Sequence, residues 1–224
     1  MDIDWIDDTG VVHLDHGVNA FERVFVEELH AALDVVEANE SARALVTVGA
    51  HKHYSNGFDI EFLGSLDGPA LASFMERALG VLARLLTFPV PTAAAVNGHA
   101  FGIGALLALA HDRRVARTDR GWFCLPEIDL GMQFLPFMLA LIRHRLPAPV
   151  VEEAVLSARR YDGAAAVAAG IAHATAGLDQ LIPTASALVE PLTGKDRPIA
   201  VALKRDLHAP VLAHLGGSSP AAPG

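Results

Sequence analysis

The sequence predicts an α/β fold, on three observations. Residues 44–48 and 92–96 are short, nearly all-apolar runs of the buried-strand type. Each leads into a glycine-containing turn, and apolar residues at helical spacing follow each turn. Strand then helix recurs in this way along the chain, the pattern of a parallel sheet with crossover helices.

In chain order, residues 11–14 read as a first short strand. Phe21, Val24, Phe25, Glu28, Leu29, Ala32, Leu33 and Val36 then fall on one helical period. Strand 44–48 delivers the chain to a first turn, Ser55-Asn56-Gly57-Phe58-Asp59. A helix is expected over 69–86, stopping before Pro89 and Pro91. Strand 92–96 enters a second turn running from Asn97 to Gly104, and 105–110 continue as an apolar helix. Residues 114–116 read as a third buried strand. Beyond Glu127 the chain becomes helical, over 135–146, 150–158, 163–169 (closed by Gly170), 178–192 and 199–207. The expected organisation is one domain, with a core over 1–175 and a helical region over 176–215. Residues 216–224, rich in Gly, Ser, Pro and Ala, are expected to form a disordered tail.

Composition narrows the function. With 224 residues, one sizeable core is expected. Charge, Gly or Pro interrupts every apolar run before the roughly 18 residues a membrane span needs, so no membrane association is expected. The acidic start, Met1-Asp2-Ile3-Asp4, lacks the basic segment of a secretory signal, and a cytoplasmic protein is expected. A net charge of −9 argues against a nucleic-acid surface. The single cysteine, Cys124, excludes an internal disulfide and cysteine-pair metal sites, and no histidine pair has the spacing of a helical zinc motif, so no metal is expected.

The chemistry-bearing candidates lie in the two turns and in one later segment. Gly57 permits a backbone conformation that a Cβ penalises, which makes the Phe58 N–H a candidate donor to an anionic oxygen. The same Asn-Gly pair with Asp59 is also an ordinary turn with a helix cap. Gly98, Gly102 and Gly104 precede an apolar helix, so the Ile103 N–H can point from a helix N-terminus at a ligand. A dinucleotide-binding reading of Gly102-Ile103-Gly104 fails at Leu107, where that motif needs Gly or Ala. Glu127, between Pro126 and Ile128, is either a solvated loop carboxylate or a desolvated one poised to carry protons.

Taken in order, residues 55–62, 97–112 and 121–131, with a weaker match at Asn19-Ala20-Phe21, resemble the crotonase superfamily, the enoyl-CoA hydratases and isomerases. The resemblance implies a spiral core of ββα turns with a helical C-terminal region. It implies an oxyanion hole made by the N–H groups of Phe58 and Ile103, and Glu127 as the acid–base residue. Ser55, Asn56, Gly57, Gly102, Leu106, Phe134 and Leu135 are expected to bind the substrate. Family hydratases use two glutamates; here the first falls on Leu106, so the chain looks like the single-glutamate 3,2-enoyl-CoA isomerases, and especially the plant-type peroxisomal ones. The implied substrate is an acyl-CoA thioester, with coenzyme A as part of the substrate and no other cofactor. Alternatives on the same scaffold are hydration, decarboxylation, thioester hydrolysis or acyl-CoA binding without turnover. His51, Lys52 and His53, with Lys204 or Arg205, are the cations expected to meet the CoA phosphates. A homotrimer or a hexamer is expected, and a role in fatty acid metabolism.

Overall fold

The computed structural model describes residues 1–216; the tail expected over 216–224 lies, from residue 217 onward, outside the described residues. The chain opens on a hairpin, β1 (Asp2–Ile6) against β2 (Thr9–Leu14), turned at Asp7 with φ +51°. Four similar turns follow, each made of a long strand, a short strand and helix. The first is β2, β3 (Ala20–Phe21) and α1 (Arg23–Ala38). The second is β4 (Ala44–Gly49), the short strands β5 (His53–Ser55) and β6 (Gly57–Phe58), then α2 (Ile60–Ser65) and α3 (Gly68–Leu86). The third is β7 (Thr92–Val96), β8 (His99–Phe101) and α4 (Ile103–Ala110). The fourth is β9 (Arg113–Arg117), β10 (Phe123–Cys124) and three helices, α5 (Pro136–Arg145), α6 (Ala148–Ser157) and α7 (Gly163–Ala168). β11 (Ala174–Ala176), α8 (Leu181–Val189) and α9 (Arg197–Leu212) complete the described chain.

The long strands form one sheet in the order β1-β2-β4-β7-β9-β11, parallel throughout except for β1. Because that order follows the sequence, every crossover steps the same way and the chain advances as a spiral. The short strands form their own small sheets, β10-β8-β5 and β3-β6. Side-chain alternation along the strands separates two cores. Leu45 and Ala94 face the larger core, under α1, α3 and α4. Val46, Val48, Ala93, Ala95 and Val115 face the smaller one, where Leu181, Ala185 and Val189 of α8 cover the sheet. The two alanines of β7 let α8 approach closely, which is why so short a helix buries that face.

The sequence reading recovers β2, β4, β7, β9 and, to within about five residues, every helix except α2. It misses β1, β11 and the short strands. Those strands of two or three residues are too brief to show a period of two.

Candidate active site

The site forms where the chain leaves the C-terminal ends of β4, β7 and β9. Asn19, fully buried at φ +53°, ties the first of these exits down. Its Nδ2 donates to Leu14 O at 2.7 Å and Tyr54 O at 3.1 Å, and its Oδ1 accepts from His16 N–H at 2.8 Å. Ser55 Oγ donates to Asn19 O at 2.6 Å, fixing the turn from beneath. Beyond it, Asp59 N–H donates to Phe21 O and the Asp59 side chain caps α2 through Phe62 N–H. In a parallel ladder, a strand's bonding groups alternate sides. With Asp59 bonded to β3, the Phe58 N–H faces away from β3, and β6 has no strand on its other side among the described residues.

That open side meets the second turn. A Cβ on Gly57, at φ +93°, would lie 2.9 Å from Phe101 O, so only glycine lets the two turns touch. Gly102 adopts φ +52°, ψ −125°, a conformation closed to L side chains, and starts α4 at Ile103. As the first helical residue, Ile103 has an N–H that no carbonyl of its own helix can reach, at the positive end of the helix dipole.

Glu127 is the third component. Pro126 and a turn closed by Met132 N–H donating to Glu127 O at 2.8 Å hold its backbone. The side chain is only 6% exposed, and Oε2 is buried without a hydrogen-bond partner. Burial pushes its pKa up to about 7, against a small opposing pull from its own backbone N–H.

Phe58, Gly102, Ile103 and Glu127 all line one cavity of about 510 Å³. Asn56, Gly57 and Leu135 line it too, as expected from sequence. Three expected substrate contacts do not, and the structure corrects them. Ser55 is buried beneath the turn, Leu106 is fully buried in the larger core, and Phe134 packs against that core rather than into the cavity. None of the cations expected to meet the CoA phosphates lines this cavity. Lys204 Nζ is held 2.6 Å from Asp112 Oδ2, and neither it nor Arg205 lines this cavity. His51, Lys52 and His53 lie outside its lining.

Sequence reasoning missed the apolar wall of Leu63, Leu71, Met75 and Met138, and it missed Arg160. The Arg160 guanidinium lies over Trp122, 5.2 Å from the ring centroid. These residues come from α2, α3, α5 and the loop after α6; no local pattern marks them, because only the fold brings them together.

A ββα spiral, with two amide-bearing turns and one desolvated carboxylate facing a common cavity, defines a crotonase fold. The chain belongs to the enoyl-CoA hydratase/isomerase family, which it matches over residues 9–217. The peroxisomal enoyl-CoA delta isomerase 2 of Arabidopsis thaliana is 38% identical over 138 residues, spanning 59% of this chain and 58% of that protein. The match therefore covers less than two thirds of that relative's length. A probable enoyl-CoA hydratase of Mycobacterium tuberculosis superposes with a TM-score of 0.87 at 26% identity, covering 96% of this chain and 90% of the other. Human mitochondrial delta3-delta2-enoyl-CoA isomerase superposes with a TM-score of 0.84, covering 93% of this chain and 82% of that one; at 21% identity the likeness is of fold alone.

Proposed function

We propose that the protein shifts the double bond of a 3-enoyl-CoA thioester to the 2-position. The observation that carries this reading is the buried Glu127, the one carboxylate lining the cavity among the described residues, with a pKa of about 7. A single acid–base group poised near neutrality suits a proton shuttle, which takes up and returns the same proton.

In this mechanism the thioester carbonyl oxygen accepts hydrogen bonds from the Phe58 and Ile103 N–H groups. Ionised Glu127 removes a proton from C2, and the charge spreads through a dienolate over the oxygen, C2 and C4. Glu127 then delivers the proton to C4, leaving the 2-enoyl thioester and a carboxylate ready for another cycle. One oxyanion donor is typically worth about 2.7–4 kcal/mol in the transition state, so two contribute on the order of 5–8 kcal/mol if additive. The wall of Leu63, Leu71, Met75, Leu135 and Met138 shields the dienolate from water and suits an apolar acyl chain. Leu106 supports isomerisation over hydration, because a buried leucine cannot hold and activate a water.

The test is product analysis. Incubated with 3-hexenoyl-CoA, the protein is expected to yield 2-hexenoyl-CoA, unchanged in mass but separated by chromatography. A hydroxyacyl product from 2-hexenoyl-CoA, or no turnover of either substrate, rejects the reading. The homotrimer or hexamer belongs to the same proposal. Ile128, Leu130 and Met132, exposed beside Glu127, support it, and sedimentation of the purified protein tests it.

A further inference from the structure

A second cavity, of about 610 Å³, lies at the opposite end of the main sheet from Glu127. It opens where the chain enters β4, β7 and β9, and α9 closes it with Ala200, Lys204 and Leu207. α5 spans the distance between the two cavities: Met138 on its first turn lines the one with Glu127, and Arg145 at its end lines this one.

Its charge is unlike the rest of the molecule. Arg43, Arg113, Arg145, Lys195, Arg197 and Lys204 line it, against only Glu40 and Asp112. The chain has 17 Lys and Arg against 26 Asp and Glu, so 6 of 17 cations converge where 2 of 26 acids are found. Outside it, Arg77, Arg84, Arg117 and Arg159 take carboxylate partners. Here Lys204 alone does so, with Asp112; among the described residues the other five have no carboxylate oxygen within 4.0 Å.

The hydrogen bonds of these cations go to neutral acceptors. Arg197 donates to the carbonyls of Asn39 and Ala42 at 2.7 and 2.6 Å, and Arg43 to Thr193 Oγ1 at 3.2 Å. Arg145 reaches only Ala110 O, at 3.4 Å, and its Nε is buried with no acceptor. Burial holds the Arg145 pKa below its usual value, with Asp112 opposing. Arg113, Arg145 and Arg197 are half-buried, while Arg43 and Lys195 are exposed at the rim; half-buried positive charge without a counter-ion is costly, and an anion entering the cavity relieves that cost. Between the cations the walls are apolar, with Ala42, Val90, Leu192 and Leu207.

We propose that this cavity binds a small organic anion, a carboxylate or phosphate head on an apolar body. Arg113, Lys195 and Arg145 meet the head, and Val90, Leu192 and Leu207 meet the body. The site is separate from the Glu127 cavity and does not depend on which reaction occurs there.

Isothermal titration calorimetry at fixed ionic strength tests it, with octanoate, octyl phosphate, inorganic phosphate and neutral octanol as probes. Saturable binding of at least one octyl anion is expected, about tenfold or more tighter than octanol or inorganic phosphate. Whether octanoate or octyl phosphate binds tighter identifies the head group. The R113Q/K195Q variant is expected to weaken that binding about tenfold while keeping the wild-type melting temperature. Four outcomes overturn the proposal: no saturable binding of either octyl anion, octanol binding as tightly, unchanged affinity in R113Q/K195Q, or displacement by hexanoyl-CoA, which would place the anion in the Glu127 cavity.

Discussion

Glu127 lies directly against Gly102: a Cβ built on Gly102 would stand 3.2 Å from Glu127 Oε1. The residue that frees the Ile103 amide therefore also sets how close the carboxylate comes to it. Gly102→Ala imposes a methyl at φ +52°, ψ −125° and pushes on the carboxylate at once. The backbone strain is expected to cost about 1–3 kcal/mol of stability. Displacement of donor and base is expected to lower kcat/KM on 3-hexenoyl-CoA about 100-fold. Wild-type kcat/KM in this variant would show that the spacing of the two groups is immaterial.

Glu127 also couples pH to stability and, under the proposed mechanism, to rate. Its folded pKa, about 7, stands above the roughly 4.3 of an exposed glutamate. Between those values the folded state holds the proton more tightly than the unfolded state. Ionisation therefore costs stability as pH rises through this window, and the cost is complete above about pH 7. Glu127→Gln removes it, so the variant is expected to match the wild type below about pH 4 and to exceed it by on the order of 3 kcal/mol at pH 8. Urea denaturation at the two pH values measures this. Under the proposed mechanism activity is expected to run the other way: kcat/KM of the wild type is expected to rise to a plateau with a midpoint near pH 7, and Glu127→Gln to lose most turnover while still binding acyl-CoA.

The legible part of this molecule is the part written in consecutive residues. Strands 44–48 and 92–96 are uniformly apolar because both faces of the sheet are covered, and the turns after them carry glycines because the backbones touch there. Glu127 stands out as a carboxylate in an apolar stretch. What was not legible depends on distance in space. The recurrence of four ββα turns leaves no repeat in the sequence, since each turn uses different side chains for the same path. β1 reads as an acidic start because its residues are mostly exposed and alternate too weakly to declare a strand. Ser55 and Phe134 sit beside cavity residues in sequence and Leu106 follows Ile103 by one helical turn, yet the local geometry turns all of them into the support beneath. Arg160 and the cations of the second cavity carry no local signal, since charge convergence appears only after folding.

Leu106 gives a direct test of that distinction. A glutamate placed there matches the two-glutamate pattern in sequence, but the position is fully buried in the larger core and does not line the cavity. Leu106→Glu is expected to destabilise the fold by on the order of 4 kcal/mol, the cost of an unpaired buried acid. It is not expected to create hydratase activity. A stable variant that hydrates 2-hexenoyl-CoA would mean that the side chain at this position reaches the substrate.

A buried polar chain holds the two amide-bearing turns in register. Leu107 O accepts from His111 Nδ1 at 2.8 Å, so the ring proton sits on Nδ1 and Nε2 must accept. Thr47 therefore donates to His111 Nε2 at 3.0 Å, and Tyr54 OH donates to Thr47 Oγ1 at 2.7 Å. Tyr54 precedes the turn carrying Phe58, and His111 caps the helix that begins at Ile103, so the relay joins both turns to β4. Burial drives the His111 pKa down to about 4, which keeps the ring neutral and the direction of the relay fixed. Thr47→Val preserves shape while leaving a buried hydroxyl and a buried ring nitrogen without partners. It is expected to cost about 2–4 kcal/mol in urea denaturation at pH 7 and to lower kcat. Tyr54→Phe, which leaves the Thr47–His111 bond in place, is expected to cost less. If the relay acts as a unit, Thr47→Val costs less in the Tyr54→Phe background than in the wild type, with a coupling of about 0.5–3 kcal/mol. Strict additivity would show that the two bonds act independently.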